Sequence, residues 1–81
     1  MTFTEYCQAN GIHLLRDDLK YIRRILQQWP PSQKVALLRR YSIVWLTAMN
    51  AEPKEELKSN VGRKAANLWL MRFNGDLTMC D

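Results

Sequence analysis

Residues 32–50 read SQKVALLRRYSIVWLTAMN, and the fold turns on how this stretch wraps around a helix. At about 100° per residue, Val44, Leu37, Ala48, Tyr41, Trp45, Leu38, Met49, Val35 and Leu46 form one apolar sector of roughly 200°. A helix lying on a surface buries a stripe only a little wider than about 100°, so this helix is contacted from two sides. It is the expected centre of the molecule. Ser32 is its expected N-cap, and Arg39, Arg40 and Thr47 are left facing water.

On the N-terminal side, Pro30-Pro31 ends a preceding helix predicted over about residues 16–28, because neither proline can donate a backbone hydrogen bond. Leu15, Leu19, Ile22, Leu26 and Trp29 recur at helical spacing, and Asp17 and Asp18 lie in the first turn, where the helix dipole favours negative charge. Further upstream, Thr2 and Glu5 have capping-box spacing and Gly11 offers a left-handed stop, which predicts a short helix over about residues 3–10. On the C-terminal side, Pro53 suits the first position of a fourth helix over about residues 54–73. Leu57, Val61, Ala65, Leu68 and Trp69 carry that helix and Asn74-Gly75 stops it. Gly62 either permits close helix packing or marks a break, and residues 76–81 read as a mobile tail.

The expected architecture is all-α: a small single-domain bundle of about four helices over residues 1–81, with helix three central. Composition fits this, with 81 residues, 47% of them hydrophobic and 25% charged. Three glycines and three prolines are too few to punctuate an all-β sandwich. No run approaches the roughly 18 apolar residues of a membrane span, and residues 1–5 lack the basic and apolar regions of a secretory signal. A cytoplasmic location without membrane contact is expected, with Cys7 and Cys80 as reduced thiols.

Catalytic signatures are missing: there is no glycine-rich phosphate loop, no GxSxG elbow and no HExxH pair. His13 is the single histidine. A Cys7–His13 nucleophile pair has no identifiable orienting acid, and zinc held by Cys7, His13, Asp76 and Cys80 would match no known ligand spacing. The expectation is no enzyme, no metal and no cofactor.

Binding surfaces are the remaining signal. An excess of Lys and Arg gives a net charge of +4, compatible with an anionic partner and also with ordinary solubility. On helix two, Arg16, Lys20, Arg23 and Gln27 share one flank, either as a row of phosphate contacts or as a solvated edge whose aliphatic stems cover the core. On helix four, Asn60, Arg63, Lys64 and Asn67 share a polar sector suited to base edges or phosphates, although Glu56 beside them would repel phosphate. Helix four is apolar over more than half its circumference, so Leu70, Met71 and Phe73, with Ile43 on helix three, are candidates for an exposed patch that meets a protein partner or a second copy. Trp29, Trp45 and Trp69 fall on apolar stripes and read as core.

Between residues 39 and 70, Arg39-Arg40-Tyr41, Trp45-Leu46, Met49-Asn50-Ala51-Glu52-Pro53 and Gly62-Arg63-Lys64-Ala65-Ala66-Asn67-Leu68-Trp69-Leu70 resemble short, uncharacterised helical proteins encoded by phages and prophages. The resemblance implies context only: an accessory factor that binds a host protein or nucleic acid in the host cytoplasm. It carries over no site residue. A protein partner is the leading expectation, and nucleic acid held by the two polar rows is the alternative.

Overall fold

The computed structural model describes residues 2–73, which form four α-helices and one 3-10 turn with no strand among them. Helix α1 spans Phe3–Ala9, α2 Arg16–Leu26, α3 Pro31–Ala51 and α4 Lys58–Arg72, with the 3-10 turn at Glu55–Leu57. The architecture is all-α, and α3, the longest helix, packs chiefly on α4.

Local chemistry explains most boundaries. The Thr2 hydroxyl accepts from the Glu5 amide at 3.1 Å while the Glu5 carboxylate accepts from the Thr2 amide at 2.8 Å, a complete capping box. Gly11 follows α1 at φ +76°, a conformation open to glycine and strained for other residues. Helix α3 begins one residue earlier than expected. Pro31 takes its first position and Pro30 its N-cap, so Ser32 lies inside the first turn. Proline suits that position because the first turn has no intrahelical acceptor for its missing N–H.

Pro53 does not open α4. It forces the preceding Glu52 into an extended conformation, φ −88° and ψ 119°, and the chain makes the 3-10 turn before α4 starts at Lys58. The Lys58 ammonium then donates to the carbonyls of Met49 at 3.2 Å and Glu52 at 2.6 Å, closing the C-terminus of α3 with a cation. Helix α4 runs unbroken through Gly62. Its expected stop at Asn74-Gly75, and the expected tail, lie outside the described residues.

The core comprises Cys7, Ile12, Ile22, Leu37, Tyr41, Trp45, Ala66 and Leu70. Trp45 is its centre, fully buried, and a Cβ at Gly62 would come within 2.6 Å of its Cδ1 and Nε1. That close approach sets the rotation of α4. Gly62, Ala66 and Leu70 face inward, while Leu57 and Leu68, expected in the core stripe, are each 39% exposed. Leu15, also expected in a stripe, lies before α2 and is largely exposed. Among the tryptophans, Trp29 and Trp69 are partly buried against the core edge.

Candidate functional site

The residues expected to contact a protein do not form one patch. Leu70 is 2% exposed and belongs to the core, a correction that follows from the rotation of α4. Phe73 is partly buried: its ring packs edge-on against Trp29 at 5.0 Å and tilted against Trp69 at 5.5 Å. Ile43 and Met71 are open to solvent, on α3 and α4 respectively.

Ile43 belongs to a groove between α1 and α3. The groove has a volume of about 600 Å³ and is lined by Thr2, Phe3, Tyr6, Val35, Leu38, Arg39 and Ile43. Its walls are mostly apolar, and Val35, Ile43 and Tyr6 leave 64%, 41% and 37% of their surface uncovered. Phe3 is anchored by an edge contact to Tyr41, ring centroids 6.4 Å apart, which ties α1 to the core and holds that wall in place. Arg39 is the groove's one charged lining residue, and its guanidinium meets no carboxylate and no hydrogen-bond acceptor among the described residues. Near the Thr2 end, the Glu5 carboxyl is held below its usual range by its hydrogen bonds with Thr2.

The polar rows divide. On α2, Arg16, Lys20 and Arg23 are exposed, and no ion pair engages them among the described residues. On α4, two of the four residues turn inward. Arg63 donates from Nε to Asp18 Oδ2 at 2.7 Å, from Nη2 to the His13 carbonyl at 2.7 Å and from Nη1 to Asn60 Oδ1 at 3.1 Å. Its guanidinium carbon also lies 5.2 Å from the centroid of the Trp45 ring. Asn67 accepts from the Tyr41 hydroxyl at 2.6 Å and donates to Asp18 Oδ1 at 3.3 Å. Arg63 and Asn67 are thus occupied in holding the fold, Asn60 supports Arg63, and Lys64 alone of the four is exposed with no partner among the described residues.

Asp18 organises this network and was read from sequence only as a dipole partner. It is 5% exposed, and its Oδ2 also accepts from the Leu15 amide at 2.9 Å. Burial acts to raise its carboxyl pKa. The hydrogen bonds from Leu15, Arg63 and Asn67, with the positive charge of Arg63, outweigh burial and hold it below the usual value. The sequence did carry a signal: Asp18 lies four residues before Ile22 on the apolar face of α2, where an acid needs a buried partner. Burial pushes the Tyr41 hydroxyl well up, and the Asp18 charge adds to it.

Cys7 is buried and its thiol is pushed up to about 11 by desolvation, so it is protonated and weakly nucleophilic near neutral pH. His13 contributes its carbonyl to Arg63. No group of three His, Cys, Asp or Glu residues able to hold a metal occurs among the described residues, and Asp76 and Cys80 lie outside them. Among the described residues no helix is long and apolar enough to cross a membrane. The chain matches no protein-family model, no curated protein and no solved structure.

Proposed function

We propose that this chain is a small, non-catalytic accessory module of the phage-encoded kind, acting in the cytoplasm by binding a protein partner through the groove between α1 and α3. The observation that carries this reading is the groove itself: an apolar cleft of about 600 Å³ with one cation in its wall, Arg39, that pairs with no acid among the described residues. Clefts of roughly 300–1,000 Å³ seat compact groups, and buried apolar anchors supply most of the energy of an interface. The occupant that fits is an apolar segment of another protein with a carboxylate beside its anchor, placed to meet Arg39. A second copy of this chain fits poorly, because a twofold contact at the groove would bring Arg39 toward Arg39. Replacing Val35 and Ile43 with Glu tests the reading, since both are exposed and the fold should survive. Partner affinity should drop about tenfold or more while the helical circular dichroism stays unchanged. Retained affinity would remove the groove from the account.

A second reading, nucleic-acid binding, is favoured by Arg16, Lys20 and Arg23 of α2, which are exposed and form no ion pair among the described residues. It would use α2 rather than α4, where Arg63 and Asn67 are engaged internally. Titration against random-sequence DNA and RNA at about 50 and 200 mM salt decides it. Steep salt dependence that becomes shallower when the three are changed to Ala supports it, and no binding at the lower salt ends it.

A further inference from the structure

Helix α4 turns a second, separate apolar seam away from the core. Val61, Lys64, Leu68 and Met71 follow one another at intervals of three, four and three, which places them within a sector of about 80°, and Leu57, the N-cap of α4 at the end of the 3-10 turn, extends the line by four residues. Leu57 and Leu68 are each 39% exposed and Met71 is 61% exposed, with Val61 half-buried and Lys64 exposed between them. This is the spacing by which one helix meets another along a coiled-coil seam, over a length of about 21 Å. Met71 was singled out by sequence as a contact residue, and this seam gives it neighbours.

From this arrangement we infer that the outer face of α4 docks an acidic amphipathic helix of another protein, with a Glu or Asp seated opposite Lys64. Three observations select that occupant. Lys64 lies at the midpoint of the seam, and no ion pair among the described residues engages it. Of the charged residues of α4, Lys64 and Arg72 are the exposed ones and both are basic, and the acids nearest the seam, Glu55 and Glu56, lie in the turn before α4. A second copy of α4 carries the same charges and is disfavoured. Lys64 lies at the middle of the seam, so a twofold pair crossing there brings the two ammonium groups together, and a polar residue at one core position of a helix pair sets partner choice. A nucleic acid would leave the apolar residues flanking Lys64 without a partner.

This inference is independent of the groove, which lies between α1 and α3. The test is selection of a displayed library of helical peptides about 18 residues long, against the full-length protein. Leucine occupies the outer seam positions, and the central and flanking positions are randomised. Selected peptides are expected to carry Glu or Asp at the centre and to lose about tenfold or more in affinity to the Leu68→Glu protein. They should switch to Lys or Arg at the centre when selected against Lys64→Glu, and should bind Ile43→Glu as well as the parent. Circular dichroism of each variant verifies its fold. The inference is overturned if no peptide is enriched, if the centre selects basic or apolar residues, if Leu68→Glu binds as tightly as the parent, or if light scattering finds a dimer that Leu68→Glu dissociates. Loss of binding to Ile43→Glu but not to Leu68→Glu would assign the peptides to the groove, overturning the seam and leaving the proposed function standing.

Discussion

Asp18 is a buried charged residue whose hydrogen bonds tie three parts of the fold together. Its carboxylate joins the segment before α2 to Arg63 and Asn67 on α4, and through Asn67 to Tyr41 on α3. Removing one partner of such a buried pair strands the others. Asp18→Ala should therefore cost about 3 kcal/mol or more, measured by urea denaturation. The same carboxyl fixes the direction of acid sensitivity. Its native pKa lies below the unfolded value of about 3.9, so its stabilisation is fully present above that value and is lost as pH falls below it toward the native one. The parent protein should lose stability over that acid range, and Asp18→Asn should lose less of its own. An equal loss in both proteins would assign the acid sensitivity to other carboxyls. Arg63→Lys should also destabilise, because an ammonium cannot reach Asp18, Asn60 and the His13 carbonyl together while covering Trp45.

At the scale of elements, the contact of α3 with α4 depends on Gly62. Alanine there would gain about 1 kcal/mol in helix propensity, but its Cβ would meet the Trp45 ring at 2.6 Å. Trp45 is fully buried and has no space to yield, so Gly62→Ala should be net destabilising by about 1–3 kcal/mol; a rise in thermal midpoint would contradict this packing. Among the described residues the buried Trp45 Nε1 proton meets no acceptor, which costs about 1–3 kcal/mol. This contact shows where sequence reasoning stopped. Caps, prolines and apolar spacing located four helices and the central role of α3, because those signals are local. The rotation of α4 was not local. The helical spacing of its apolar residues puts Leu57 and Leu68 inside and leaves Leu70 a surface candidate. The Trp45 ring instead requires a glycine, Gly62, where α4 meets it, and Ala66 and Leu70 are buried on the same side. The same rotation turned Arg63 and Asn67 inward, since a polar row can be recognised in sequence but its buried partner across the fold cannot. Of the candidate contact residues, Ile43 and Met71 were identified as exposed. The groove beside Ile43 was out of reach because it needs α1 and α3 placed side by side.

On the scale of the whole molecule, charge and apolar surface lie together. Lys34, Arg39 and Arg40 are the charged residues of α3, and those of α4 are also all basic, so both helices that bear open apolar faces are cationic. Among the described residues the acids lie in α1, α2, the 3-10 turn and, as Glu52, at the C-cap of α3, and one of them, Asp18, is buried. Apolar contact should supply the affinity of such faces, while complementary charge selects acidic partners and speeds their arrival. Binding should then weaken only modestly with salt, in contrast to the steep loss of a phosphate-bound complex. The most direct measurement is site-specific photocross-linking in cells, with Ile43→benzoylphenylalanine in the groove and Lys20→benzoylphenylalanine on the basic row of α2. A protein adduct from position 43, with none from position 20, is the predicted result. Nucleic-acid adducts from position 20 with nothing from position 43, or an adduct of the chain with itself at position 43, would contradict the account.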